Sequence, residues 1–339
     1  MQVILAILIV MISLNGLKPF TVSNDPNWEN SINIHDFNWP ADAASMGYIP
    51  EHKTSFNFFN SIVDILPYNF TEPFEKCERI GFENGLVKSI HINPKLYLIN
   101  LYKTSTENVI IKPDMFYKLG IFRCIKTKLT KIPENLDRLK HLKVLNLEDN
   151  LIETVQMDQL NGLDNLEKLF LSSNKIKHIY CDGPASLPSL TEMDLDKNRL
   201  QHFDVCNWNM PSLSHLNLQV NNLTHFAIHQ FPTLQALRIY ENPVNCAWTD
   251  SLKNTSIRLY SRTSCDEKSV GAFELDCPPT NHQLKQQISS VSDRMQKIED
   301  LLQNLIAKII EQQNVSNDII EAMYRIEIER ASNHRKKIP

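Results

Sequence analysis

A nine-residue pattern recurs five times in this chain of 339 residues, and it limits the possible folds more than any other feature. Each copy reads L-x-x-L-x-L-x-x-N, with Met193 and Ile239 each standing in for one leucine. The copies begin at Leu142, Leu166, Leu190, Leu213 and Leu234. The alternation L-x-L predicts a short strand whose leucines point to one side. The asparagine is expected to turn the chain and to bond backbone groups inside the coil.

Two weaker copies precede these five and begin at Leu96 and Leu119, with Thr104 and Thr127 in place of the asparagine. The seven anchor positions 104, 127, 150, 174, 198, 221 and 242 are 21 to 24 residues apart. Independent amphipathic strands would not keep a constant period. The spacing is that of leucine-rich repeats, whose coils bury their apolar faces only by stacking on one another. We therefore predict an α/β leucine-rich-repeat solenoid, or horseshoe, over residues 74–242, with strands on its concave wall.

The two ends of this array are expected to differ from the repeats, because the end coils of a solenoid need covering. A cysteine-containing cap is predicted over residues 243–280, where Cys246 is followed by Trp248. Cys77 is assigned to an N-terminal cap. Residues 17–73 show no repeat, and the sequence assigns them no fold.

A different period begins near residue 281 and continues to 331. Apolar residues recur every seven positions in two interleaved series that form a heptad seam, with polar Gln312 and Ser316 in the middle. The apolar seam residues are Leu284, Ile288, Val291, Met295, Ile298, Leu302, Leu305, Ile309, Ile319, Met323 and Ile326. A helix folded back on the repeats is the alternative, but a strict 3.5-residue period favours an α-helical coiled coil. The last residues, 332–339, are read as a basic tail.

The N-terminus indicates secretion. Residues 3–14 are almost entirely apolar, which is too short for a membrane span of ~20 residues but suits a signal peptide over residues 1–16. A buried helix or signal anchor is the alternative. No later segment is long and apolar enough to span a membrane. Possible N-glycosylation sites agree with an extracellular protein, at Asn69, Asn222, Asn254 and Asn314.

The seven cysteines are expected to be mostly paired in an oxidising compartment. Cys181 and Cys206 occupy nearly equivalent places in adjacent coils, so we predict a disulfide between them. Cys246 and Cys265 can close the C-terminal cap. Cys277 would then be free to bond a second chain beside the start of the coil. The alternative is that Cys277 bonds within the cap and a core thiol such as Cys124 stays free.

The sequence offers little chemistry for an enzyme, cofactor or metal. It has no G-x-S-x-G, C-x-x-C or P-loop motif. His225 and His229 are four apart, but surface histidines are the simpler interpretation. Asp194 and Asp196 share one strand face, where a partner-binding or solvated acidic patch is favoured over acid–base catalysis. The net charge of −4 argues against nucleic acid as the main partner.

The outward positions of the repeat strands form two columns on the concave wall, which solenoids often use to bind proteins. The middle of the wall is acidic, and its flanks carry the aromatic and arginine residues that are enriched in binding hot spots. The predicted partner-binding residues are Arg123, Glu148, Phe170, Asp194, Asp196, Gln219, Arg238 and Tyr240. The alternative is a solvated wall, with binding on the convex side or the caps.

From Cys77 onward, the order of repeats, cysteine-containing cap and coiled coil resembles the mosquito leucine-rich-repeat immune proteins. The resemblance implies a secreted haemolymph protein that pairs with a related chain through a disulfide and the coil. It also implies binding of a complement-like thioester protein. Family members often carry adjacent cysteines before the coil, whereas Cys277 stands alone here. An extracellular structural, adhesive or receptor-ligand protein without an immune role is the alternative.

Overall fold

The computed structural model describes residues 20–50, 52–225, 227, 231–251, 255–260, 281–313 and 317–335. The chain divides into two compact units, Met1–Cys277 and Pro278–Pro339. The first unit is a solenoid of about 10 coils. Its strands, in chain order, are β1 (Thr21–Asn24), β2 (Ser31–His35), β3 (Asn38–Trp39), β4 (Ser55–Phe59), β5 (Ile62–Leu66), β6 (Arg79–Glu83), β7 (Leu86–His91), β8 (Leu98–Tyr102), β9 (Asn108–Ile110), β10 (Ile121–Ile125), β11 (Val144–Asn146), β12 (Thr154–Gln156), β13 (Lys168–Phe170), β14 (His178–Tyr180), β15 (Ala185–Ser186), β16 (Glu192–Asp194), β17 (Trp208–Asn209), β18 (His215–Asn217), β19 (Ala236–Arg238) and β20 (Arg258–Tyr260).

One sheet of twelve strands forms the concave wall, in the order β1-β2-β4-β6-β8-β10-β11-β13-β16-β18-β19-β20. Every neighbouring pair is parallel except β1 and β2. In each repeat the two leucines of L-x-L point into the coil and are fully buried, as at Leu169 and Leu171. The predicted leucine-rich-repeat solenoid is confirmed, and the two weaker copies supply β8 and β10.

The repeats begin earlier than the sequence analysis proposed. Residues 17–73 were expected to lie outside the array, but β2 and β4 belong to the concave sheet and pair in register with β6. The diagnostic asparagine is absent from these coils, and Phe37, Ser61 and Gly85 take its place. A Cβ at Gly85 would lie 2.3 Å from the Ser61 carbonyl oxygen, so the tight turn there excludes larger side chains.

The N-terminal cap was also misplaced. Cys77 is buried and lies just before β6, inside the array rather than at its end. The end of the sheet is instead formed by β1, which pairs antiparallel with β2. Phenylalanines fill the core of these first coils, where Phe58 stacks on Phe82 with ring centroids 4.8 Å apart. Large aromatic rings bury much apolar surface per residue, so these coils cohere without the leucine pattern.

In the regular repeats, the asparagine side chain bonds the backbone of its own coil and of the preceding one. The amide nitrogen of Asn174 donates to the carbonyl oxygens of Leu171 at 3.1 Å and Leu147 at 2.9 Å. Its Oδ1 accepts from the Ile152 nitrogen at 3.1 Å. The same set of bonds recurs at Asn198, Asn221 and Asn242. The predicted role of the asparagine is therefore confirmed.

The residue before each anchor position turns the chain with a positive φ, once in every coil. Asp149, Ser173 and Lys197 have φ of 55°, 55° and 50°. Val220, at φ 54°, is the β-branched residue of the series. Side chains rarely adopt this region, and a branched Cβ makes it more costly. The turn is held because the Val220 nitrogen donates to the Tyr240 carbonyl oxygen at 3.0 Å.

The opposite wall consists of short strands and 3-10 turns, as expected for the return segments. The first coils carry a second parallel sheet of four strands, β3-β5-β7-β9, and later coils carry the pairs β12-β14 and β15-β17. The 3-10 helices are η1 (Ala43–Tyr48), η2 (Leu136–Arg138) and η3 (Met157–Leu160). After the last asparagine comes α1 (Cys246–Ser251), followed by β20, which extends the concave sheet into the predicted cap. Trp248 is buried and belongs to the hydrophobic core of the solenoid.

The second unit contains two helices, α2 (Asn281–Gln313) and α3 (Asn317–Arg335). The helical prediction is confirmed, and α3 continues beyond residue 331 into the expected tail. Five seam residues on α2 are between 47% and 57% exposed, namely Val291, Met295, Ile298, Leu302 and Leu305. Met323 and Ile326 on α3 are also exposed. The side chains of Ile288, Ile309 and Ile319 lie outside the described residues.

Replacing Asn174 with alanine should lower the free energy of unfolding by about 2–4 kcal/mol, because buried carbonyl groups of two coils would lose their hydrogen-bond donor. Urea denaturation of the secreted chain measures this loss. Lys177→Ala is the control, because Lys177 makes only an exposed ion pair with Glu153 at 3.5 Å. That change should cost less than about 0.5 kcal/mol. Equal losses in both variants would contradict the role given to the asparagine.

Replacing Val220 with asparagine should stabilise the solenoid by about 1 kcal/mol, because asparagine tolerates a positive φ better than a β-branched side chain. The backbone bond to Tyr240 would be kept. Thermal unfolding followed by circular dichroism measures the change. Lys197→Asn, at the equivalent position one coil earlier, starts from an unbranched residue and should gain less. A lower melting temperature for the Val220 variant would show that its side chain contributes packing that outweighs the strain.

Candidate protein-binding surface

The strand register aligns the first predicted column of outward residues on the concave wall. Arg123 pairs with Asn146, Asn146 with Phe170, and Phe170 with Asp194. The column then continues through Asn217 to Arg238. Because neighbouring strands lie ~4.8 Å apart, adjacent members of the column are within reach of one another. These side chains therefore form one continuous surface across the solenoid.

The second column follows directly after the strands and is aligned by backbone hydrogen bonds. Asp149 donates its backbone N–H to Ser172, and Ser173 donates to Asp196. Lys197 donates to Gln219, and Val220 to Tyr240, in the same way. These bonds bring Glu148, Ser172, Asp196, Gln219 and Tyr240 into line across five coils.

The acidic centre of the wall is tied together by hydrogen bonds between coils. Glu148 accepts from Asn146 at 2.6 Å and from Ser172 at 2.7 Å. Asp194 accepts from Asn217 at 3.1 Å, and Asp196 accepts from the Gln219 amide at 3.0 Å. Asp196 is buried and also lies 3.6 Å from the Lys197 ammonium group. These carboxylates thus stabilise the stacking of the coils, a function that the sequence did not indicate.

Asp194 is held in an environment that disfavours its charge. Burial raises the pKa of Asp194 to about 6, the hydrogen bond from the Asp196 nitrogen lowers it, and the negative charges of Asp196 and Glu148 raise it further. Nothing in the sequence indicates this shift, because it arises from residues of several coils. Within the described part of the wall, no group of three or more His, Cys, Asp or Glu side chains is placed to hold a metal ion.

The arginines are the most exposed of the predicted residues on the wall. Arg123 and Arg238 are exposed, and Phe170 and Tyr240 are half-buried. Beyond the predicted residues, Tyr260 of β20 extends the first column, and the Arg238 guanidinium lies 5.7 Å from the centre of its ring. An arginine over an aromatic face gains a cation–π attraction and keeps the guanidinium in a preferred position. Arg238 and Tyr260 therefore place a positive charge and an aromatic ring side by side on the concave wall.

The wall also continues toward the N-terminus, where the sequence analysis placed no repeats. Asn33, Asn57 and Gly81 extend the first column, and His35 and Phe59 stand beside them. The rings of His35 and Phe59 stack with centroids 4.9 Å apart. Only the alternating apolar pairs Ile32/Ile34 and Phe56/Phe58, 24 residues apart, could have revealed these coils.

The cysteines are arranged differently from the prediction. Cys181 is a free thiol, whereas Cys206 and Cys246 are each in a disulfide, so the predicted bond between Cys181 and Cys206 is wrong. Equivalent positions in adjacent coils were therefore not enough to predict a disulfide. Cys181 instead lies against Trp208, and burial raises the pKa of its thiol. Cys77 and Cys124 are free and buried, and burial raises the pKa of each to about 12. Cys265 and Cys277 lie outside the described residues.

Other predicted sites lie around the solenoid rather than on the concave wall. Asn69 and Asn222 are exposed, which leaves both accessible to a glycan, while Asn254 and Asn314 lie outside the described residues. His225 shares a hydrogen bond with the hydroxyl of Thr224 at 2.8 Å, and burial lowers its pKa. His229 is outside the described residues. None of the described helices is long and apolar enough to cross a membrane.

Comparisons with known proteins support the fold. A leucine-rich-repeat family model matches residues 140–200. No curated protein matches the chain at a significant level. The crystal structure of the LRIM1/APL1C complex resembles this chain with a TM-score of 0.53 at 16% identity, covering 89% of this chain and 61% of that chain. The chain therefore spans about three-fifths of the length of that relative.

Two further solved structures are similar. The leucine-rich-repeat domain of LRIM1 gives a TM-score of 0.49 at 16% identity over 68% of this chain and 80% of that one. The corresponding domain of APL1B gives 0.48 at 15% identity over 64% and 70%. The likeness to the LRIM1/APL1C complex confirms, at the level of the fold, the resemblance to mosquito leucine-rich-repeat immune proteins seen in the sequence. Solenoids of this kind are typically protein-interaction domains rather than enzymes.

The raised pKa of Asp194 predicts a pH-dependent stability. The pKa of the Asp194 carboxyl is higher in the folded state than its ordinary value of 3.8. Its contribution to stability is therefore fully present at pH below 3.8 and is lost as pH rises through about 6. Asp194→Asn should therefore gain stability over the wild type as pH increases, reaching about 1 kcal/mol at pH ~7.5 after solvent screening. Urea denaturation between pH ~4 and ~7.5 measures the difference. A difference independent of pH would contradict the shift.

Proposed function

We propose that this chain is a secreted, protein-binding leucine-rich-repeat protein that acts as an innate-immune factor in haemolymph. In this proposal, it pairs with a related chain through its C-terminal helices and binds a complement-like thioester protein. The observation that carries the proposal is the fold likeness to the LRIM1/APL1C complex, which extends over 89% of this chain. That structure is itself a complex of two proteins, which supports pairing with a related chain.

Pairing is further supported by the unburied seam of α2. Its apolar residues lie on one stripe and about half of each side chain is exposed. Burying such a side chain against a second helix contributes roughly 1.5–3 kcal/mol. The five seam residues from Val291 to Leu305 therefore supply a substantial driving force for association. A disulfide through Cys277 remains a proposal for securing the pair.

On the concave wall, we infer that the partner contacts the aromatic and basic side chains more than the carboxylates. Glu148, Asp194 and Asp196 are already hydrogen-bonded within the solenoid, and a partner would have to compete with those bonds. Arg238 and Phe170 reach solvent and belong to the residue types that dominate interface energies. A Lys substitution at buried Asp196 would also disturb the fold, so it is a poor test of binding.

Phe170→Ala and Arg238→Ala should each weaken binding of the protein that co-purifies with the chain by about tenfold, as expected for hot-spot side chains. Surface plasmon resonance with that protein measures the affinity. The matched controls are Phe116→Ala, at a loop residue that is 96% exposed, and Arg199→Ala, at an exposed position outside the two columns. Both controls should bind normally. If all four variants bind like the wild type, the partner uses another surface.

Isolation of the chain from haemolymph separates the immune role from a structural or adhesive one. We expect a thioester-containing protein to co-purify and the transcript to rise after infection. Purification of the chain with matrix components alone, together with an unchanged transcript, would favour the structural role.

A further inference from the structure

The residues that flank the seam of α2 carry information about which helix covers it. With Met295 and Leu302 at heptad positions a, and Ile298 and Leu305 at positions d, the flanking g and e positions follow directly. The flanking residues within the described side chains are Arg294, Leu301 and Lys308 at g, and Ser292, Glu299 and Ile306 at e. Two basic residues, one glutamate, one serine and two apolar residues therefore border the seam.

In a parallel, in-register coiled coil, each g residue faces the e residue five positions later on the other helix. If the second helix is another copy of α2, Arg294 faces Glu299 of that copy, which is a pair of opposite charges. Leu301 faces Ile306 of that copy, which is a pair of apolar residues. Each pair occurs twice because the two helices are equivalent. The two flanking pairs in which both side chains are described are thus complementary, one in charge and the other in hydrophobicity.

Leu301 strengthens this argument because it is 68% exposed, more than the seam residues beside it. A leucine at a flanking position buries little apolar surface when it faces the charged residues that usually occupy such positions. It gains hydrophobic burial when an isoleucine faces it from the partner. An antiparallel partner would place g against g and e against e, which separates the arginine from the glutamate that complements it.

We propose that α2 pairs with α2 of a second copy of this chain, parallel and in register. This inference rests on the proposed function, in which the C-terminal helices pair two chains. It names the partner as an identical chain, with Arg294 and Glu299 selecting the register.

Charge reversal in the full secreted chain tests the pairing of g and e positions. Arg294→Glu alone and Glu299→Arg alone should each weaken self-association by about tenfold, because both turn two attractive pairs into repulsive ones. An equimolar mixture of the two variants should regain wild-type affinity, since every facing pair is then of opposite charge. Sedimentation velocity over a dilution series measures the association.

The matched controls make the same charge changes on the outer face of the helix. Lys297→Glu, at position c, and Asp300→Arg, at position f, are exposed and should leave self-association unchanged. A loss in these controls equal to that of the flanking variants would overturn the assignment, because net charge alone would then explain it. Weakening that the mixture fails to reverse would also overturn it.

Cysteine cross-linking tests direction and register independently of affinity. Met295→Cys places a thiol at position a, where the two copies meet side by side in the proposed arrangement. Mild oxidation should then give a dimer in which peptide mapping finds residue 295 joined to residue 295. Lys297→Cys, two residues away on the outer face, should not form this bond. Absence of the 295–295 link would overturn the parallel, in-register pairing.

The result also distinguishes this inference from the proposed function. A wild-type chain that stays monomeric alone but pairs with a related leucine-rich-repeat chain through α2 would overturn self-pairing and retain the proposed function. A chain that pairs with neither would overturn both.

Discussion

The buried amide of the repeat asparagine is the interaction on which the solenoid depends. Each side chain bonds backbone groups in its own coil and in the preceding one, as Asn174 does with Leu171 and Leu147. Buried carbonyl and N–H groups are costly when left without partners, so one amide both closes a turn and sets the position of the next coil. In Asn150 the same amide also receives a bond from Thr127, which joins the regular repeats to the earlier ones.

The constant stacking set by this interaction also shapes the concave wall. Outward side chains in successive coils stand close enough to bond one another, and the acidic residues of the centre do so through Ser172, Asn217 and Gln219. Carboxylates that already accept hydrogen bonds from a neighbouring coil stabilise the wall, and they are therefore less available to a partner. The basic and aromatic flanks, with Arg238 beside Tyr260, remain open to solvent. In the proposed function, binding and stability therefore depend on different residues of one surface.

The two units differ in how far they bury their apolar side chains. The solenoid buries its leucines within one chain, since coils cover their neighbours along a concave sheet that runs from β1 to β20. The helices α2 and α3 leave an apolar seam about half exposed. A helix of this kind gains its stability from packing against another helix. The second unit therefore presents apolar surface that a partner helix would cover in the proposed pairing.

The sequence by itself determined the repeat period, the five regular coils, both outward columns and the heptad seam. It could do so because side chains alternate along a strand and a constant period sets the register between coils. Tertiary structure alone decided three other features. The first coils stack although Ser61 and Gly85 replace the asparagine, because aromatic packing holds them. Cys181 stays free and Asp194 is hard to ionise, because neighbours from separate coils surround each group. Such properties depend on contacts between residues distant in sequence, which no local pattern records.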